Sequence, residues 1–184
     1  MDNILSWIIW IPVLGMVAIA FIPREKQDLI KKVAAITTGI QLLVAIFLWS
    51  AFDATNGSFQ FMERAEWIPS LGISYILGID GLSLPMVALN ALIAFIGVFV
   101  SWNIDRAVKG YFALFLLLDT GVMGVFLSLD FFLFYVFWEV MLLPMYFLIG
   151  MWGGPQREYA AIKFFLYTLF GSVLMLIALL ALYF

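Results

Sequence analysis

The chain has 184 residues, of which 66% are hydrophobic and 11% are charged, and its formal net charge is −3. Soluble domains average roughly 45–50% apolar and about 25% charged residues, so this composition excludes an ordinary water-soluble globule. Neither Cys nor His occurs, which excludes disulfides, thiolate metal sites, iron–sulfur clusters and imidazole-ligated haem in these residues. Because Lys and Arg are sparse, nucleic acid is not an expected partner.

The first two apolar segments, about Ile4 to Ile22 and about Val33 to Phe52, predict two transmembrane helices. A hydrocarbon core of about 30 Å is crossed by about 20 helical residues, which is close to the length of both segments. A secretory signal peptide is the alternative for the first segment, since Ala18-Ile19-Ala20 imitates a cleavage site. The charges argue against it, because the basic residues follow the apolar run and none precedes it.

A polar segment from Asp53 to about Asp80 separates the second predicted helix from the third. Apolar and polar residues alternate on both sides of the sequence Pro69-Ser70-Leu71-Gly72. Period-2 alternation that flanks a Pro/Gly turn predicts a β-hairpin on the membrane surface. The alternation is broken once, at Met62 and Glu63.

Four further apolar segments predict helices 3 to 6, so that the chain is expected to form a single all-α membrane domain with six transmembrane helices over residues 1–184. Pro85 falls in the first turn of helix 3, where a missing N–H does little harm. Only Asp130 separates helix 4 from helix 5, so these two are expected to form a tight antiparallel pair. The segments are about Leu82 to Trp102, Tyr111 to Leu129, Phe131 to Met151 and Tyr159 to Phe184.

The basic residues of the loops predict how the chain is oriented. Cytoplasmic loops carry an excess of Lys and Arg. Here the loops after helices 1, 3 and 5 are basic, whereas the opposite side holds only Arg64, so the N-terminus is expected outside. The basic residues are Arg24, Lys26, Lys31, Lys32, Arg106, Lys109 and Arg157.

Three ionisable residues, Asp119, Glu139 and Lys163, fall inside the predicted helices. A charge at the centre of a membrane helix costs roughly 2.5–3.5 kcal/mol on insertion scales, and such residues usually face the protein interior and serve a function. Pro144 follows Glu139 in helix 5 and removes the helical partner of the Val140 carbonyl. This helix break predicts that Glu139 is a titrating group on a proton or ion path, with a structural hydrogen bond as the alternative.

The other two ionisable residues leave alternatives open. Asp119 and Glu139 lie near the middles of consecutive antiparallel helices, so the two carboxyl groups are expected to be able to approach each other. A structural hydrogen bond is the alternative for Asp119. Lys163 lies near the start of helix 6, where its long stem can reach the interface, so snorkelling is the alternative to a place in a proton relay.

The segment from Asp130 to Ser172 reads DFFLFYVFWEVMLLPMYFLIGMWGGPQREYAAIKFFLYTLFGS. It closely resembles the M subunit of bacterial NADH:quinone oxidoreductase, respiratory complex I. This subunit is chain 4 in mitochondria and plastids. A second stretch similar to that family is ISYILGIDGLSLPMVALNALI, Ile73 to Ile93. The resemblance covers essentially the whole chain, and its most specific block runs from Trp138 to Gly154.

The resemblance implies an antiporter-like, all-helical subunit of about fourteen helices, of which this chain holds the N-terminal part. It implies proton translocation driven by quinone reduction elsewhere, with NADH, FMN, iron–sulfur clusters and quinone held by partner subunits and no cofactor in this chain. Glu139 matches the family's key glutamate on helix 5, and Lys163 and Asp119 match polar positions on helices 6 and 4. The family's lysine partner for that glutamate lies on helix 7, beyond Phe184.

The expected setting is the membrane arm of complex I in a bacterial inner membrane, with other membrane-arm subunits and the lipid bilayer as partners. A subunit of a multisubunit Na⁺/H⁺ antiporter, or of a membrane-bound hydrogenase, is the alternative, since both share the implied fold. A purely structural helical scaffold of the membrane arm is a third possibility. The block from Trp138 to Gly154 favours complex I.

Overall fold

A computed structural model describes residues 3–183, and over these residues the chain forms six long helices and one β-hairpin. Each of the six helices is long and apolar enough to cross a membrane. The helices are α1 Ile4–Phe21, α2 Gln27–Ala51, α3 Ser83–Val100, α4 Val108–Leu127, α5 Phe131–Trp152 and α6 Arg157–Tyr183. The hairpin strands are β1 Gln60–Ile68 and β2 Ile73–Ile79, and short 3₁₀ turns occur at Pro69–Leu71 and Ser101–Asn103.

The start of α2 differs most from the sequence prediction, because the helix begins at Gln27 and not at Val33. Its first turns are polar, and Asp28 there suits the positive end of the helix dipole. Lys31 is buried, and its ammonium lies 3.8 Å from the Asp105 carboxylate in the loop before α4. A hydropathy pattern marks only the apolar part of a helix, so the polar turns escaped prediction.

Helix α4 lies at the centre of the bundle and packs against α1, α2, α3 and α5. Its apolar residues belong to two separate buried clusters. Leu116 and Phe112 belong to the cluster near the loop between α1 and α2, whereas Met123 and Leu127 belong to the cluster beside the hairpin. The turn that carries Asp119 therefore lies between two apolar layers.

Two glycines allow α4 and α5 to pack closely. A Cβ atom at Gly121 would lie 2.5 Å from Met141 Cγ, and one at Gly124 would collide with the ring of Phe137. Small residues at such crossings let two membrane helices approach. These glycines therefore fix which face of α4 meets α5.

Glu63 of β1 caps the start of α1. Its Oε1 accepts a hydrogen bond from the backbone N–H of Leu5 at 2.6 Å, and Oε2 accepts from the backbone N–H of Ser6 at 3.1 Å and from the Ser6 hydroxyl. The Tyr75 hydroxyl of β2 lies 3.0 Å from Ser6 Oγ. A carboxylate at a helix N-terminus satisfies free N–H groups and complements the helix dipole. Glu63 stands where β1 and β2 shift register, and this is the point at which the sequence alternation breaks.

Strand β2 also holds the connection between α4 and α5. The backbone N–H of Leu129 donates to the Ile76 carbonyl at 2.9 Å, and that of Ser74 donates to Asp130 Oδ2 at 3.3 Å. The other oxygen of Asp130 caps α5 by accepting from the backbone N–H of Phe132 at 2.8 Å. One hairpin therefore fixes the first turns of both α1 and α5.

At the end of the bundle opposite the hairpin, long side chains form hydrogen bonds with backbone carbonyl groups at the helix ends. The Lys109 ammonium donates to the carbonyls of Ala20 at 2.8 Å and Ile22 at 2.9 Å, at the C-terminus of α1. The Trp152 indole N–H donates to the Arg106 carbonyl at 2.8 Å. A cation at a helix C-terminus satisfies unpaired carbonyls and complements the dipole. Both ends of α1 and of α5 are therefore held by side-chain contacts.

Replacing Glu63 by Ala should lower the free energy of unfolding by about 2 kcal/mol, because it removes charge-assisted hydrogen bonds from a buried helix start. The measurement is the thermal unfolding midpoint of the purified full-length subunit in detergent. Glu66→Ala is the matched control, since Glu66 is an exposed acid on the same strand. Equal midpoints for the two variants would contradict the capping role.

Candidate functional site

Glu139 lies on the face of α5 that packs against α6. Phe137, which packs against Gly124 of α4, is two residues away and therefore about 200° around the helix. Tyr146, two turns beyond Glu139 on the same face, contacts the Phe165 ring of α6 with 5.5 Å between ring centroids. The carboxyl group is thus directed at the interface between α5 and α6 and away from α4.

Tyr135, one turn before Glu139, connects this carboxyl group to α6. The Tyr135 side chain interacts both with the Glu139 carboxyl group and with the Ser172 side chain. Ser172 is buried, and its hydroxyl also donates to the Leu169 carbonyl at 3.0 Å. Glu139, Tyr135 and Ser172 therefore form a polar row across an otherwise apolar interface.

One carboxylate oxygen of Glu139 lacks a hydrogen-bond partner among residues 3–183. This atom, Oε1, is buried, although the residue as a whole is half-buried. Leaving a buried acceptor unpaired costs about 1–3 kcal/mol, and more when the group is charged. A proton on the carboxyl group, or a donor from outside residues 3–183, would remove that cost.

Pro144 is buried within α5, and the helix continues through it to Trp152. The proline therefore loosens one turn without ending the helix. Because Pro144 has no N–H, the Val140 carbonyl loses its intrahelical donor. Val140 directly follows Glu139, so the loosened turn and the unpaired carboxylate oxygen adjoin.

Asp119 lies in the centre of the bundle, with 4% of its surface exposed. Its Oδ1 accepts from the Asn90 side-chain amide of α3 at 2.7 Å, and the Gln41 amide of α2 also interacts with the carboxyl group. Among the described residues, no hydrogen bond or ion pair connects Asp119 with Glu139. The expected approach of the two acids is not seen, because α4 presents Gly121 to α5 and that residue is about 200° from Asp119.

Lys163 faces away from Glu139. The neighbours that α6 turns towards α5 are Ala161 and Phe165, each two residues from Lys163 and therefore about 200° around the helix. Lys163 is exposed, and its ammonium lies 5.6 Å from the centroid of the Tyr159 ring. Within residues 3–183 it forms no ion pair. Its placement therefore fits a side chain that snorkels to the membrane interface, which is the alternative to a place in a proton relay.

Sequence reasoning missed three uncharged residues of these polar groups, namely Gln41, Asn90 and Tyr135. Gln41 and Asn90 lie near the middles of α2 and α3, and Tyr135 lies one turn inside α5. An amide or hydroxyl inside a span is itself a signal for a buried contact. None of the three carries a charge, and charge is the stronger signal within an apolar segment. Across the described part of the chain, no cluster of three or more His, Cys, Asp or Glu residues is arranged to hold a metal ion.

Known membrane subunits resemble the chain along its whole length. The family model described as NADH:quinone oxidoreductase/Mrp antiporter, TM, matches residues 128–184, which include Glu139, Pro144 and Lys163. NADH-quinone oxidoreductase subunit M of Rhodobacter capsulatus is 41% identical, over 100% of this chain and 36% of the relative. NADH-ubiquinone oxidoreductase chain 4 of Arabidopsis thaliana is 42% identical, over 98% of this chain and 37% of the relative.

The fold is also similar to a solved structure, respiratory complex I from Thermus thermophilus with bound NADH. The TM-score is 0.81 at 27% identity, and the match covers 96% of this chain and 35% of that chain. The chain therefore spans about a third of the length of the relatives it matches. Together with the six apolar helices, these likenesses show an integral, multi-pass membrane protein. The chain is similar, along its whole length, to the antiporter-like membrane subunits that include NADH-quinone oxidoreductase subunit M and NADH-ubiquinone oxidoreductase chain 4.

Proposed function

We propose that the chain is the N-terminal part of a proton-translocating membrane subunit of NADH:quinone oxidoreductase, in which Glu139 takes up and releases protons. The observation that carries this proposal is the buried, unpartnered Oε1 atom of Glu139 beside a turn loosened by Pro144. The proposal is supported by relatives named as subunits of this enzyme. Residues that costly to bury in a membrane usually serve proton or ion movement.

The redox chemistry belongs to other subunits in this proposal. NADH, FMN, iron–sulfur clusters and quinone bind to partner subunits, and quinone reduction there drives the change of protonation at Glu139. The Tyr135 hydroxyl is the adjoining group through which a proton can pass towards α6. This chain then contributes a proton path and no electron carrier.

Asp119 and Lys163 are proposed as further residues of the proton path. They occupy separate places, since Asp119 lies in the bundle centre and Lys163 lies on the outer side of α6. Neither contacts Glu139 within residues 3–183. A path through all three therefore needs water or the remaining part of the subunit to bridge them, and a basic partner for Glu139 comes from that remaining part.

We propose a bacterial inner membrane as the location, with the hairpin and the N-terminus outside. The basic loops support this orientation, because Lys31 and Lys109 lie at the end of the bundle opposite the hairpin. Other membrane-arm subunits and the lipid bilayer are the proposed partners. The exposed apolar residues along α6 support such surroundings.

A subunit of a Na⁺/H⁺ antiporter is the second candidate, because the matching family description also includes Mrp antiporters. Both candidates use the same buried carboxyl group, but they differ in what drives the proton. Proton movement that depends on NADH oxidation supports the first candidate. Proton movement that depends only on an imposed Na⁺ gradient supports the second.

Glu139→Gln in the full-length subunit should leave the complex assembled but reduce proton movement through this subunit by roughly 100-fold, the scale of a positioned proton-transfer group. The amide keeps the size of the side chain and cannot exchange a proton at neutral pH. The measurement is acidification of inverted membrane vesicles per NADH oxidised.

Glu158→Gln is the matched control for this experiment, because Glu158 is an exposed acid at the start of α6. It should leave the pumping ratio unchanged. Assembled complexes that carry Glu139→Gln and pump at the normal ratio would support a structural scaffold and reject the relay.

The absence of Cys from residues 1–184 makes the orientation directly testable. In a full-length subunit without other cysteines, Ala54→Cys beside the hairpin should react with a membrane-impermeant maleimide added to intact cells. Gln156→Cys, in the loop between α5 and α6, should react only after the membrane is opened. Both positions are exposed in the structure, so the reverse labelling pattern would overturn the orientation.

A further inference from the structure

The loop between α2 and β1 contains the pair Asn56-Gly57, and both residues are exposed. The side chain of an Asn residue can react with the backbone nitrogen of the next residue, because a bond between Asn Cγ and that nitrogen closes a cyclic imide. A following Gly favours this reaction, since it has no Cβ to hinder the approach. The pair therefore has the chemistry for spontaneous deamidation, a covalent change that needs water and no enzyme.

The structure holds the Asn56 carboxamide beside the nitrogen that it must meet. Asn56 Oδ1 accepts a hydrogen bond from the backbone N–H of Ser58 at 3.0 Å. This bond folds the side chain back over the Gly57 peptide, and it withdraws electron density from Cγ, which becomes more electrophilic. A Cβ atom built at Gly57 would meet nothing within 4 Å beyond the adjoining residues, so the Gly57 peptide has room to rotate towards Cγ.

A second pair of related chemistry, Asp80-Gly81, is held differently. Asp80 Oδ1 accepts from the backbone N–H groups of Leu82 at 3.1 Å and Ser83 at 2.7 Å, at the start of α3. The backbone N–H of Ser83 holds the pKa of the Asp80 carboxyl group below its ordinary value. The carboxyl group is therefore ionised and a poor electrophile at neutral pH. The fold thus protects this pair and leaves Asn56-Gly57 free to react.

The hairpin does not depend on the side chain of Asn56. Gln60 closes the loop, because its Nε2 donates to the Asp53 carbonyl at 2.7 Å and its Oε1 accepts from the Asp53 backbone N–H at 3.0 Å. Both hydrogen bonds lie outside the reacting pair. Loss of the Asn56 amide therefore leaves β1 in place and adds one negative charge to the exposed loop.

We propose that Asn56 is a site of spontaneous deamidation. Gly57 N forms a bond to Asn56 Cγ and gives its proton to water or hydroxide, and the side-chain nitrogen of Asn56 leaves as ammonia. Water then adds to either carbonyl of the cyclic imide and opens it, which gives aspartate or isoaspartate at this position. The net reaction consumes one water molecule and releases one ammonia, with no oxidant or reductant. This inference does not depend on Glu139 moving protons.

Peptide mass spectrometry of the purified full-length subunit, kept folded in detergent at mildly alkaline pH, tests the proposal. The peptide that contains Asn56 should gain the mass difference between an amide and an acid, and enzymatic methylation should detect isoaspartate there. Gly57→Ala should slow the conversion roughly tenfold, because the added Cβ hinders ring closure. This variant should fold normally, since position 57 is open.

Asn103 is the matched control, since it is also exposed but is followed by Ile104, whose branched side chain hinders ring closure. It should keep its amide over the period in which Asn56 is converted. Isoaspartate at Asp80 should appear only after the subunit is unfolded in denaturant, which removes the hydrogen bonds to that carboxylate. Equal conversion of Asn56 and Asn103, an unchanged rate in Gly57→Ala, or isoaspartate at Asp80 in the folded subunit would overturn the inference.

Discussion

In a bilayer, every polar group inside the span must find its partner within the protein, and this constraint organises the whole chain. Pro12 frees a carbonyl in α1, and a glutamine of the neighbouring helix fills it. The first N–H groups of α1 are filled by Glu63 of the hairpin, and its last carbonyls by Lys109. The backbone groups of α1 that lack a partner within the helix therefore receive hydrogen bonds from three side chains, which come from three other parts of the chain.

The same constraint explains why α5 is held by hydrogen bonds at both ends and has one weakened turn in its middle. Asp130 caps its first turn and is itself bonded to β2, while Trp152 is bonded to the loop before α4. Between these anchors, Pro144 removes one hydrogen bond from the turn that adjoins Glu139. A helix fixed at both ends can change shape at such a turn without changing its neighbours, as the proposed proton exchange at Glu139 requires.

The sequence was sufficient to predict the six membrane-spanning helices, because the length of an apolar segment can be read directly from the order of its residues. It was insufficient for the polar contacts because these depend on which face of a helix meets which neighbour. Asp119 and Glu139 lie at similar depths in the bundle. However, the face of α4 that packs against α5 is the one that carries Gly121, and Asp119 lies on a different face. Glu63 likewise interrupts the strand alternation, and nothing in the sequence indicates that this interruption caps a distant helix.

The two buried acids are suited to different work by their surroundings. Asp119 is 4% exposed in the bundle centre, where the side-chain amides of Asn90 and Gln41 contact its carboxyl group. Glu139 is half-buried beside two hydroxyl groups and against α6, most of whose surface remains exposed in these residues. A proton carrier needs an environment that can change. The half-buried position of Glu139 therefore supports the proposed proton exchange there, and the enclosed bundle centre gives α5 a rigid surface to pack against.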